Sequence, residues 1–295
     1  MKNILPALIL FLMMTALTTF AQNKDKPAYQ LFTKNGKSIK YSKMLDELEE
    51  ADVVLFGEQH NDPIAHWLQL ELSKDLHKEH KQNLALGAEM FEADVQLVLN
   101  EYLAGVVPEN NFEQESRIWT NYKTDYKPLV RYAKDNKLPF IATNVPRRYA
   151  ATVAAGSLTA LENVSADAKK YIAPLPIKVD MELLGYKNML AMFGSSTHGN
   201  TKSQNIVQAQ ALKDATMAHF ILGQVNAGKK VLHFNGAYHS DNFEGIGWYL
   251  KQGNPQLKTF TITTVLQEDL EKLSEEHKNK ADFILVVPAS MTRTY

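Results

Sequence analysis

The sequence predicts an α/β protein with a mostly parallel central sheet flanked by helices and an inserted helical lobe. From Ala51 onwards short β-rich runs alternate with helical patterns of roughly 10–20 residues, the rhythm of strand–helix–strand units. The strand runs are continuously apolar, as strands covered by helices on both faces are. One stretch, Ser157 to Thr201, breaks the rhythm with Pro174, Pro176 and the segment Gly194–Gly199, and reads as the lobe, with a polar, mobile tip at Gly194–Asn200.

The first strand is Val53-Val54-Leu55-Phe56, ending at Gly57. Pro63 then opens a helix whose Ile64, Leu68, Leu72 and Leu76 recur every four residues. Leu84–Ala88 is the second strand, and Val95, Leu99 and Leu103 form the next helical stripe, closed by Gly105. A helix around Pro128–Asn136 leads into the third strand, Pro139–Thr143, and another helix follows around Pro146–Ala155. A long helix from about Ser203 to Val225 ends at Gly228, before the fourth strand, Lys230–Phe234. Lys258–Val265 and Phe283–Val287 are the fifth and sixth strands, with a charged helix expected over Glu268–Lys278.

The 295-residue chain is 45% hydrophobic, enough to build a core, and carries a net charge of −1. That balance, with no local basic stripe, excludes a nucleic-acid partner. There is no cysteine, which excludes disulfides, thiolate nucleophiles and Cys-held metal. Any metal has to use His, carboxylate or Tyr.

Residues 1–21 read as a signal peptide: Met1-Lys2-Asn3, an apolar run from Ile4 to Leu17, then Thr19 and Ala21 as the small residues before cleavage. Residues 22–295 are expected to form one domain, with the lobe at about 157–201. No later run is long and apolar enough to span a bilayer, so no transmembrane anchor is expected after cleavage. The expected product is periplasmic or secreted.

In an open parallel sheet, chemistry gathers beyond the carboxyl ends of the strands. The first strand ends in Gly57-Glu58-Gln59-His60 and the fourth in Asn235-Gly236-Ala237-Tyr238-His239, two G-x-x-H turns at equivalent points about 180 residues apart. Each Gly suits a tight turn and each His then projects from the rim. The second strand adds Glu89, either a buried functional carboxylate or part of the next helix's N-cap region. The third adds Asn144, Arg147 and Arg148; two cations at a helix start oppose its dipole and so call for another role. On the long helix Gln210, Asp214 and Met217 can lean a polar stripe on the cleft, although Asp214 can equally pair with Lys213 or Lys230 at the surface. His66, His77, His80 and His277 read as solvated bystanders. Imidazole with carboxylate suits Fe, Mn, Co or Zn, and Arg147 or Arg148 suits a carboxylate such as a porphyrin propionate.

These segments in combination resemble the ChaN-like haem-binding uptake proteins of the Tiki, TraB and erythromycin-esterase superfamily. The matching stretches are Val54–His60, Ala88–Phe91, Ile118-Trp119 with Tyr126–Leu129, Ile141–Arg147, Gln210–Ala218 and Gly236–His239. The resemblance implies that Glu58, His60, Glu89, Arg147 and His239 are the defining residues. It further implies haem or iron binding outside the cytoplasm, haem held through tyrosine with histidine assisting, and a site between the subunits of a homodimer. Members are often lipoproteins; without a cysteine this chain is not expected to be one.

Two functions from different classes follow. In the first, an exported protein takes up haem or iron, with Arg147, Arg148, Tyr126, Tyr238 and His239 as candidate haem contacts and no choice made between the tyrosines. In the second, a hydrolase uses Glu58, His60, Glu89 and His239 to hold Mn, Co or Zn, with Glu58 or Glu89 catalytic and a metal-bound water as nucleophile.

Overall fold

A computed structural model of the chain describes residues 25–192 and 201–295. The expected signal peptide and the tip at 194–200 lie outside the described residues. Seven strands form one sheet: β1 (Gln30–Thr33), β2 (Val53–Glu58), β3 (Leu84–Glu92), β4 (Phe140–Asn144), β5 (Lys230–Gly236), β6 (Thr259–Gln267) and β7 (Phe283–Pro288). Their order is β1-β7-β6-β2-β5-β3-β4, with β1 antiparallel to β7 and every other pairing parallel.

The helices in chain order are α1 (Tyr41–Leu48), α2 (Pro63–His80), α3 (Gln96–Leu103), α4 (Glu109–Glu115), α5 (Lys127–Asp135), α6 (Arg147–Gly156), α7 (Ala166–Lys169), α8 (Leu184–Met192), α9 (Thr201–Asn226) and α10 (Ile246–Gly253). Strand β2 shows why its sequence is apolar throughout. Val54 and Phe56 join a large core with Leu68 and Leu72 of α2 and Leu129 of α5, while Val53 and Leu55 face the other way, onto Met217 and Ile221 of α9 and Leu250 of α10. Period-two alternation thus feeds two cores, one on each face. The segment after α6 is short helical pieces packed on α9, through Leu161 and Ile172 against Leu212 and through Tyr186 against Val207.

Glu268–Lys278 does not form the expected helix; only Glu275–His277 makes a single 3-10 turn. Side chains outcompete the helical backbone bonds. The Gln267 amide donates to the carbonyls of Asp269 and Lys272 and accepts from Ser274 N–H, and Asp269 accepts from Glu271 N–H. Leu270 and Leu273 still turn inward, closing a small core with Phe32, Ile284 and Val286. Strand β1 escaped detection because four residues at a sheet edge show little periodicity.

Two features of the sheet create the site. The connection after β2 carries the chain toward β3 and β4, whereas that after β5 returns over β2 to β6, so the turns diverge between neighbours β2 and β5. Strand β3 also runs four residues past its expected end, with a register irregularity against β4 between Ala88 and Glu92, which aims Glu89 along the rim.

Candidate functional site

Glu58 closes β2 and is buried. Its Oε1 accepts from the Tyr126 hydroxyl at 2.6 Å and faces His60 Nδ1 at 3.0 Å, while Oε2 accepts from Gln69 at 2.6 Å. His60 is thereby held by its Nδ1, and its ring meets Trp119 edge-on at 4.9 Å. Burial pulls the His60 imidazole down, but the Glu58 hydrogen bond and the charges of Glu89 and Glu58 outweigh it, leaving the ring above its ordinary range.

Across the crevice His239 is 5% exposed and clamped between two carboxylates. Its Nδ1 lies 2.5 Å from Asp214 Oδ1 and its Nε2 lies 3.1 Å from Glu89 Oε1. Burial alone would lower this imidazole, but Glu89 and Asp214 overturn that and push it up to about 10. It is an imidazolium at neutral pH. The reciprocal effect holds Glu89 well below the usual carboxylate range, despite burial, with the Gly236 N–H donating to Oε2 at 2.7 Å. Asp214 accepts in turn from the Tyr186 hydroxyl at 2.8 Å, so it is no surface partner of a lysine. The Gln210 amide lies beside the His239 ring, 3.1 Å from Nδ1, as its place on the long helix suggested, whereas Met217 belongs to the core.

The two glycines serve close approach rather than turn conformation. Gly236 has φ −58°, open to any residue, yet a Cβ there would stand 2.7 Å from His60 Cε1. A Cβ on Gly57 would meet the Ala237 α-carbon at 2.9 Å. Each G-x-x-H turn is therefore packed against the other, and convergence of Glu58, His60, Glu89 and His239 is built into the backbone.

Other candidates lie in varied places. Tyr126 is buried beneath the pair, and burial with the Glu58 charge holds its phenol far above the ordinary value. Tyr238 faces away, its hydroxyl donating to the Gly185 carbonyl. Arg147 pairs with Glu92 yet keeps a largely exposed side chain. Arg148 pairs with Asp94 at 2.6 Å and covers the Tyr149 ring. Arg117 bridges both carboxylates, completing a rim of three guanidiniums on Glu92 and Asp94.

Several residues escaped sequence reading. His66 is buried rather than solvated, its Nδ1 3.1 Å from Gln69 Oε1 and its Nε2 3.0 Å from the His60 carbonyl. Asn121 donates to that carbonyl at 2.7 Å and to Asp125 at 2.6 Å. His233, in the middle of β5, lies between Thr143 and Asn235, and burial pushes it down to about 4. Its place inside an apolar strand was the one available signal.

Beside this network a pocket of about 640 Å³ opens past the ends of β3 and β4. Its apolar lining includes Met90, Ile118, Trp119 and Val145; Glu89 and Asn121 reach it from the network, Arg147 and Lys213 bring positive charge, and Tyr295 stands at its edge. A larger groove, about 900 Å³, runs along the β1 side past Lys26, Gln30 and Leu270, away from these groups.

As a metal shell the convergent set is poorly disposed. Among the described residues no three His, Asp or Glu side chains are arranged to hold an ion. Both His239 nitrogens and both Glu58 oxygens already have partners within the protein.

Fold and site define an α/β protein with a pocket at the carboxyl edge of its parallel strands. The haem-binding uptake family of the Tiki superfamily, ChaN, matches residues 44–250, and the chain belongs to that family. Among solved structures, one described as cofacial heme binding to ChaN of Campylobacter jejuni is 21% identical and superposes with a TM-score of 0.68 over 90% of this chain and 98% of that one. A mutant of erythromycin esterase EreC in its open conformation is 13% identical, with a TM-score of 0.51 over 85% of this chain and 94% of that one. At these identities both show the fold. A curated relative, protein RETICULATA-RELATED 5, chloroplastic, of Arabidopsis thaliana, is 26% identical over 200 residues, 62% of this chain; the match spans only 26% of that protein. No described helix is long and apolar enough to cross a membrane.

Proposed function

We propose that this chain binds haem as cargo in the pocket past β3 and β4, and that it does so after export, directed by residues 1–21. Membership of the haem-binding uptake family supports the ligand. The observation that carries the reading is the make-up of one side of the pocket: Ile118, Trp119 and Val145 give it an apolar and aromatic patch within a largely polar lining, beside Arg147 and Lys213. A porphyrin presents the complementary surface, with two flat apolar faces and carboxylates along one edge. The volume lies within the roughly 300–1,000 Å³ typical of small-molecule sites.

Each part of the site then has a task. Trp119 and Ile118 pack on the macrocycle, displacing water from both surfaces. Arg147 and Lys213 pair with propionates; Arg147 is oriented for this by Glu92, which takes its Nε, and by the Arg117 carbonyl, which accepts from one Nη at 3.4 Å, while its side chain stays largely exposed toward the ligand. The Glu58–His60 and Asp214–His239–Glu89 networks fix the pocket floor. Hemin titrated into the purified protein is expected to give a saturable Soret shift, weakened by Arg147→Ala with Lys213→Ala and by the dimethyl ester of hemin. Absence of saturation overturns the proposal.

One observation favours a second reading. His60 has its Nδ1 on a buried carboxylate, the arrangement that makes an imidazole a general base, so a hydrolase remains the rival. Ester hydrolysis abolished by Glu58→Gln, in protein that shows no saturable hemin binding, would establish it.

A further inference from the structure

After β7 the chain turns at Pro288 and runs back across the loop that follows His60. Three successive residues dock there. The Arg293 guanidinium pairs with Asp62, a fully buried carboxylate whose other oxygen caps α2 through Ala65 N–H at 2.9 Å. The Thr294 N–H donates to the Asn61 carbonyl at 3.1 Å, and its hydroxyl donates to Asp125 at 2.8 Å. Asn61 returns a hydrogen bond from its amide to the Tyr295 carbonyl at 3.3 Å. The strap is thus fastened through both side chains and backbone, and one fastening is an ion pair with a buried member, the kind whose loss is costly.

Two consequences meet at the pocket. Tyr295, the one tyrosine among the described residues that lines it, is 66% exposed and so open to whatever binds there. The latch also bears on His60: Thr294 holds Asp125, Asp125 holds Asn121, and Asn121 holds the His60 carbonyl. The same Asp125 stands 3.5 Å from Nε2 of the buried His66, which itself bonds that carbonyl.

We infer that the segment Arg293–Tyr295 is a working part of the ligand site: a latched strap that holds the Tyr295 ring against the bound ligand and, through Asp125 and Asn121, keeps the His60 loop in place. The inference rests on the haem reading for its ligand, and on the latch geometry for the rest. Arg293 and Thr294 are positioning residues. Tyr295 is the contact, closing the pocket edge with an aromatic face suited to a porphyrin margin.

The experiment loads wild-type protein with hemin and follows its release to excess apomyoglobin, in parallel with Tyr295→Ala, Arg293→Gln and Arg293→Lys. Tyr295→Ala is expected to release hemin about ten-fold faster, equivalent to about 1.4 kcal/mol of barrier, with an unchanged melting temperature because the ring is exposed. Arg293→Gln is expected to accelerate release similarly, and Arg293→Lys, which keeps the charge on Asp62, to restore most of the wild-type rate. Saturable binding by wild type with unchanged release from Tyr295→Ala or Arg293→Gln overturns the strap and leaves the haem reading standing. No saturable binding by wild type removes the haem reading, and the strap's role with it.

Discussion

The His60 imidazole rests on the α-carbon of Gly236, so closely that a methyl group at 236 would stand 2.7 Å from Cε1 and 2.9 Å from Nε2. This contact locks the turn after β2 to the turn after β5. Gly236→Ala is therefore expected to displace His60, at about 1–3 kcal/mol of overpacking, and to weaken hemin binding with it. Chemical denaturation and a Soret titration on the same variant check both effects. Wild-type values in both would show that the contact yields freely.

The buried histidines set the pH profile of stability. His239 is held at about 10 against an ordinary 6.5, so its contribution is complete below about 6.5 and is lost as pH rises toward 10. His233, pushed down to about 4, acts oppositely: its contribution is present above 6.5 and is lost as pH falls toward 4. Glu89, held below its ordinary 4.5, adds a further loss in more acid solution. Stability measured by urea denaturation is expected to peak near neutral to slightly acid pH and to fall on both sides. A profile still rising at pH 9 would contradict the charged His239.

Asp214→Asn removes one wall of the clamp and keeps its shape. The His239 value is expected to fall toward the ordinary range, read from imidazole nitrogen shifts by NMR, with about 3–5 kcal/mol lost at pH 6 as a buried ion pair is broken. An unmoved titration would assign the shift to Glu89 alone.

Tyr126→Phe deletes the hydroxyl that donates to Glu58 at 2.6 Å. Glu58 keeps Gln69 and His60, so the expected cost is about 1–3 kcal/mol of stability, with saturable hemin binding retained. Loss of binding with stability intact would instead make Tyr126 a direct ligand contact.

Much of this was legible in the sequence because it rests on local pattern. Apolar runs such as Val53–Phe56 and the four-residue stripe of α2 mark strands and helices by periodicity, and strand ends place Glu58, His60, Glu89 and His239 on one rim. What stayed hidden depends on distant pairing. His66 looked solvated because its helix is largely charged, and only the fold sets Gln69 and the His60 carbonyl against it. The role of Gly236 is a contact with a residue 176 positions away, not a turn, and spacing cannot reveal it. Arg147 and Arg148 read alike as neighbours, whereas only Arg147 reaches the pocket. The docking of Arg293 and Thr294 on Asp62, Asn61 and Asp125 depends on where β7 ends, beside neither G-x-x-H turn in sequence.

Crystals grown with hemin and measured at the iron absorption edge test the central claim most directly, since the anomalous signal locates the iron without assumptions about ligands. The account predicts a peak inside the pocket bounded by Trp119, Val145, Arg147 and Tyr295. A peak in the groove along β1, or none from protein that gives a Soret titration, would contradict it.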